Sequence, residues 1–242
     1  MTRFLRISIL LSFFVLFWSC TEDSPIVNDD SEISSDNSGS LEKYGIANYS
    51  VTITNLTPAT QPGASQPLSP PVLATHPRFI HVFRVGKYAS SELAQVAEDA
   101  FSDPLVAKLS DAHFVYDVQQ GDGVILPGES TTINISAPLG FRKLSIVSML
   151  VNTNDAFAGL DGFQMPFRGS KTVYLKAYDA GSERNTESFD HIPGPCCGNP
   201  FMRVPTHERI RKHRGIKGVG DLDRAIYGWK GRVAKVTITR IN

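Results

Sequence analysis

From residue 46 onward, apolar residues return at every second position in short runs separated by Gly, Pro, Asn, Asp and Ser. Such alternation sends successive side chains to opposite faces, so each run reads as a strand with one buried face. The runs are 49–56, 79–85, 113–118, 130–136, 144–151, 171–178 and 233–241. Repetition of this pattern at short intervals predicts an all-β domain, an antiparallel β-sandwich of about eight strands spanning residues 47–242. One helical stripe interrupts it: Leu93, Val96, Ala97, Ala100 and Phe101 recur at helical spacing over 91–102, with Ser90 or Ser91 placed to cap. Asp103-Pro104 then restarts a short turn carrying Leu105 and Leu109. The Pro-rich stretch 57–77 is expected to be a surface connection, and residues 119–123 a hairpin turn.

The N-terminus is of a different kind. Arg3 and Arg6 precede an apolar run over 7–18, long enough for an export signal and too short to span a bilayer. Ser19-Cys20 closes it, as at a bacterial lipoprotein cleavage site, which predicts a signal peptide over 1–19 and an acylated Cys20. Several acyl chains on one cysteine hold a protein to a membrane, and the expected location is the outer membrane or cell surface. Residues 20–46 are built from Ser, Asp, Asn and Glu and cannot bury enough apolar surface to fold, so they read as a tether with a reach of roughly 28 Å.

Charge is unevenly divided. Seven of the 24 acids lie in the tether, leaving 22 basic and 17 acidic residues once the two leader arginines are also set aside. Arg203, Arg209, Arg211, Lys212, Arg214 and Lys217 cluster against Glu208 alone, a candidate polyanion-binding patch or simply a solvated charged segment. No nucleic-acid motif accompanies them, and an exported chain points to a glycan, glycolipid or protein partner instead.

Cys196 and Cys197 are adjacent, where a structural turn and a vicinal disulfide are both open. His191, His207 and His213 make zinc the rival reading of region 196–213, although His207-Glu208 lacks a second histidine four residues on. There is no Gly-x-Ser-x-Gly elbow, phosphate loop or dinucleotide fingerprint, so the chain reads as a binding protein rather than an enzyme. A zinc-dependent enzyme using region 196–213 is the alternative.

Asp155 and Asp179 each lie just past an expected strand end, and Glu183 follows Asp179 across a short polar turn. A hard divalent cation wants six to eight oxygens, which carboxylates and loop carbonyls supply. On spacing alone these acids read equally well as a solvated loop surface. If they meet, the connection 156–170 must cross so that the strands ending near Asp155 and Asp179 run the same way.

Ser148-Met149, Asp155, Gly159-Leu160 and Asp179-Ala180-Gly181-Ser182-Glu183 together resemble the signature of the spondin N-terminal domain family. The likeness extends over about 49–241, including Gly218-Val219-Gly220-Asp221-Leu222 less specifically. Asn152-Thr153-Asn154 and Ala156 stand where animal members carry prolines and a tryptophan, a change expected to alter the adjoining surface. The resemblance implies a β-sandwich, a Ca2+ site at Asp155, Asp179 and Glu183, and an adhesion module that engages a receptor or glycolipid.

Overall fold

The computed structural model describes residues 45–59, 65–194, 196–198 and 202–242. The export segment 1–19, Cys20 and the tether through residue 44 lie outside the described residues. The strands are β1 (Ile46–Asn55), β2 (Val72–His76), β3 (Asp117–Gln120), β4 (Ser130–Pro138), β5 (Lys143–Met149), β6 (Ala156–Gln164), β7 (Ser170–Asp179), β8 (Arg211–Lys212) and β9 (Ala234–Arg240). Helices α1 (Ser91–Asp99) and α2 (Asp103–Ser110) follow β2, and the single turn α3 (Arg224–Tyr227) precedes β9.

The strands form one antiparallel path, β3-β2-β5-β6-β7-β9-β1-β4, with the short β8 added to β7. Two separate sheets were expected; a continuous, nearly closed sheet is found. β7 makes the difference, because Ser170 to Leu175 pair with β9 while Lys176 to Asp179 pair with β6. One strand thereby carries the ladder around a corner. The far edges meet through side chains: the Asp117 carboxylate accepts the Ser136 N–H at 2.7 Å, and the Thr75 hydroxyl donates to the Ser136 carbonyl at 2.7 Å.

The inner face of this sheet holds the main core, including Tyr49, Val51, Ile53, Leu73, Ile146, Val236 and Ile238, all at most 1 % exposed. A second core lies on the outer face, where Leu93, Val96 and Leu105 from the helices cover Val72, Ala74, Val147 and Phe157. β2 and most of β5 are therefore buried on both sides and lack a polar face. Without an exposed face β2 carries no period-two signal, and it lies within the stretch 57–77, expected as a surface connection. Much of it is interior: Ser65, Gln66 and Leu68 are fully buried, and Leu68 bridges both Ile125 and Leu150.

Three other expectations change. Residues 79–85 are loop, because the Val82 N–H is drawn at 2.8 Å to the Asp161 carboxylate and the Gly86 N–H to the Ile210 carbonyl, leaving no ladder. Residues 119–123 do not close a hairpin, since β3 pairs with β2 while β4 pairs with β1. The helix expected over 91–102 ends at Asp99, where Ala100 takes a left-handed φ of 57° as its cap, and the turn expected to restart at Asp103-Pro104 is the helix α2.

Gly159 in β6 shows what the Gly159-Leu160 pair does. A Cβ there would lie 2.6 Å from the Phe83 ring and 2.9 Å from both Phe157 and Tyr178. The missing side chain lets these three rings pack edge-to-face and tilted at centroid separations of 5.0 to 5.7 Å. Gly159→Ala is expected to cost about 1–3 kcal/mol through overpacking, read as an earlier urea midpoint. An unchanged midpoint would mean that the rings have room to yield.

Candidate metal centre at the sheet rim

β6 answers how the acids come together. The expected crossing between the strands is itself a strand, so β5 and β7 are both antiparallel to β6 and end at one rim. Asp155 closes the turn entering β6, and the register places Ala156 opposite Asp179. Thr153 shapes that turn by donating its hydroxyl to the Leu150 carbonyl at 2.6 Å and accepting the Ala156 N–H at 3.1 Å.

Asp155, Asp179 and Glu183 are 0, 3 and 2 % exposed, whereas solvated loop acids would stand in water. Asp155 Oδ2 accepts the backbone N–H groups of Ser182 at 3.0 Å and Glu183 at 3.2 Å. Its Oδ1 is buried with no hydrogen-bond partner, and so is the Ser182 hydroxyl. Asp179 Oδ1 accepts the Gly181 N–H, while its Oδ2 accepts from Asn185 at 2.8 Å and Arg211 at 2.9 Å. Glu183 accepts from the Asn154 amide at 3.1 Å.

Asp179 is paired with Arg211 and Glu183 feels the charge of Arg203, yet burial still disfavours the charged form of all three carboxylates. Burial, reinforced by the Asp179 charge, pushes the Asp155 carboxyl up to about 7. Burial likewise lifts Glu183 to about 8, against the lowering effect of its Asn154 hydrogen bond and with Glu98 and Asp155 adding to the rise. Asp179 is raised by burial too, with Arg211 pulling the other way.

Among the described residues, no three His, Cys, Asp or Glu side chains stand close enough together to grip a metal as they lie. The donor chemistry nevertheless fits a hard cation, because the groups short of partners are oxygens: Asp155 Oδ1 and the Ser182 hydroxyl.

Residues 46–193 match the family model described as Spondin_N. The chain belongs to the Spondin_N family. No curated protein matches it. The matched stretch contains Asp155, Asp179 and Glu183 and stops short of the basic segment and the last two strands.

Within this Spondin_N domain the polar trio Asn152-Thr153-Asn154 is buried, each residue 1 % exposed. Asn154 is a junction: its amide reaches Glu183 and Thr186, and its carbonyl oxygen accepts the Glu187 N–H at 3.1 Å. Glu187 is the residue that sequence reasoning missed. It is 3 % exposed, adopts a left-handed φ of 55°, and its carboxylate accepts the N–H groups of Lys217 at 2.6 Å, Gly218 at 2.6 Å and Val219 at 2.9 Å. Gly220 lies so close that a Cβ would be 2.4 Å from the Thr186 carbonyl. The Gly218-Val219-Gly220 motif thus wraps a buried acid, and those glycines were the available signal.

The basic cluster is dispersed. Arg203 pairs with Glu98 and with Asp99 at 2.5 Å, fastening its segment to α1. Arg209 donates to the Gly86 carbonyl and lies 4.9 Å over Tyr88, which stacks on its other partner, His207, at 4.2 Å. Arg211 binds Asp179 and Glu208. Arg211, Arg214 and Lys217 border one cleft of about 460 Å³, together with Asp179, Glu187 and Glu208, so that cleft carries both signs of charge. Lys212 occupies β8 opposite Tyr178.

Cys196 and Cys197 are joined as a disulfide. The histidines of that region are separately engaged. His191 contacts the Thr186 hydroxyl, and buried His213 stacks on Trp229 while its Nε2 meets Asn185 at 2.8 Å.

Proposed function

We propose that this chain is a membrane-anchored, extracytoplasmic calcium-binding module for recognition and adhesion, with a glycan, glycolipid or protein partner. Cys20 would carry the lipid anchor, and residues 20–44 would hold the domain off the membrane. Asp155, Asp179 and Glu183 would hold Ca2+ and stiffen the loops that meet at that rim. Neither enzymatic chemistry nor a nucleic-acid partner is part of this reading.

One observation carries it: Asp155 presents a buried carboxylate oxygen without a partner, at a rim where three acids are buried together and burial raises the pKa of each. A cation supplies the missing charge and accepts the missing coordination. It would also give the Asp179–Arg211 pair competition for Asp179.

The test is the melting temperature of the full chain in chelator and in about 10 mM calcium. Calcium sites in extracellular modules bind at roughly 0.1–1 mM, so mass action predicts stabilisation of about 1.5–3 kcal/mol, a rise of about 3–10 °C. Asp179→Asn and Asp155→Asn should each abolish the rise. An undiminished rise in both variants would place the ion elsewhere, and no rise in the unaltered chain would end the calcium reading.

A further inference from the structure

A second cleft, of about 520 Å³, opens on the outer face where β6 parts from β7. Its volume lies in the ordinary range for small-ligand sites. Tyr174, Lys176 and Tyr178 fall on alternate positions of β7 and so line one wall as a single stripe. Phe83 and Arg84 come from the loop after β2, and Arg232 from the approach to β9.

Two features of this cleft lack an internal explanation. Arg84, Lys176 and Arg232 are exposed and make no ion pair among the described residues, while Arg232 sits near enough to Tyr178 to act on its hydroxyl electrostatically. The lining contains one acid, Asp161, and it is turned to other work. Its oxygens take the Val82 N–H at 2.8 Å, the Ser145 hydroxyl at 3.0 Å and the His81 ring at 2.5 Å, which fixes the loop bearing Phe83 and Arg84. The second feature is the aromatic wall. Tyr174 is 51 % exposed, and Tyr178 is held in place from behind by Phe83 and Phe157, at the spacing that Gly159 permits.

Unpaired cations around a preformed cleft select an anion. Exposed Tyr174 and half-buried Tyr178 add a preference for a ligand with a flat, weakly polar face and with hydroxyls for the phenols to bond. A pyranose ring bearing a carboxylate or sulfate has both properties, whereas a bare inorganic anion has only the first. We propose that this cleft binds an acidic saccharide, its acid group among Arg84, Lys176 and Arg232 and its ring against Tyr174 and Tyr178. The site is separate from the carboxylate rim and contains none of its residues.

The experiment is calorimetric titration of the full chain, in chelator throughout so that the fate of the calcium reading cannot affect it. The probes are tetragalacturonate, a heparin tetrasaccharide and neutral maltotetraose. At least one acidic probe is expected to bind, with affinity falling as salt is added and with no binding of maltotetraose. Tyr174→Ala and Arg232→Gln, both at exposed positions, should each weaken it about tenfold or more without moving the melting temperature. Arg214→Gln combined with Lys217→Gln, in the other cleft, should leave it unchanged. The proposal is overturned if neither acidic probe binds at low salt, if binding survives both Tyr174→Ala and Arg232→Gln, if it is lost instead in the Arg214/Lys217 variant, or if inorganic sulfate binds as tightly as the saccharides.

Discussion

Glu187→Ala is expected to cost about 2–4 kcal/mol, lowering the melting temperature by about 5–15 °C. The carboxylate is the shared acceptor for three successive backbone N–H groups at 217–219, which form a nest around it. Lys217, Gly218 and Val219 are exposed, so water recovers part of the loss and the cost stays below three full unsatisfied bonds. The Glu187 carbonyl also accepts the N–H groups of Asp221 at 2.8 Å and Leu222 at 3.2 Å, and these bonds survive the substitution. Glu187→Gly removes the same carboxylate but relieves the left-handed backbone, so it should be less damaging than alanine by about 1 kcal/mol. Urea denaturation of the two variants checks both statements. A Glu187→Ala chain as stable as the unaltered one would mean that the nest is filled by solvent at no cost.

In chelator, the melting temperature is expected to fall as pH rises from about 6.5 to about 8. The sign follows from Asp155 at about 7 and Glu183 at about 8 in the folded chain, both above their ordinary carboxyl values. Between about pH 4 and 8 the folded state holds carboxyl protons that the unfolded state has released, but His213, held down to about 4 by burial, lacks a proton that the unfolded chain binds below about 6.5 and opposes the trend there, so the net drop falls at about pH 6.5–8. Above it the folded chain carries buried, ionised acids with Arg211 and Arg203 as the nearby cations. Calcium in the same rim would take the place of the protons. Saturating calcium should therefore flatten the pH profile, and binding at pH 7 should release about one proton, measured by calorimetry in buffers of different ionisation heat. A flat profile in chelator would mean that the acids are not neutral in the folded chain. Calcium binding without proton release would exclude Asp155 and Glu183 as its ligands.

These two effects are joined through Asn154, which bonds Glu183 with its amide and the Glu187 N–H with its carbonyl oxygen. Order in the segment 217–222 and the disposition of the rim acids thus share one side chain. The Spondin_N match ends at residue 193, so the nest amides wrapped around Glu187 come from beyond it.

The legible parts of this fold were those with one wet face. β1, β4, β7 and β9 alternate in burial as well as in sequence, and their periodicity located them. β2 was illegible because helices cover its second face, so it has no exposed face to mark a period and even its polar residues, Thr75 and His76, are buried. The run 79–85 misled for the opposite reason. Its apolar residues serve the aromatic cluster and the outer core, while its backbone is bound by an aspartate side chain rather than by a strand.

The acids at 155, 179 and 183 could be singled out from the chain, since local spacing and turn chemistry are properties of neighbours in sequence. Their burial could not, because it depends on β6 returning between β5 and β7 and on the segment 204–208 closing over the turn that bears Glu183. The basic run at 203–217 is likewise plain in the sequence, yet Arg203 is paired with Glu98 and Asp99, and Arg211 with Asp179, by elements far away along the chain. Sequence by itself determined the antiparallel β class, the capped helical insertion and the position of the acids 155, 179 and 183 beside strand ends. Tertiary structure decided which polar groups lost water and which charges found partners, because desolvation and ion pairing are set by distances between segments that no local pattern records.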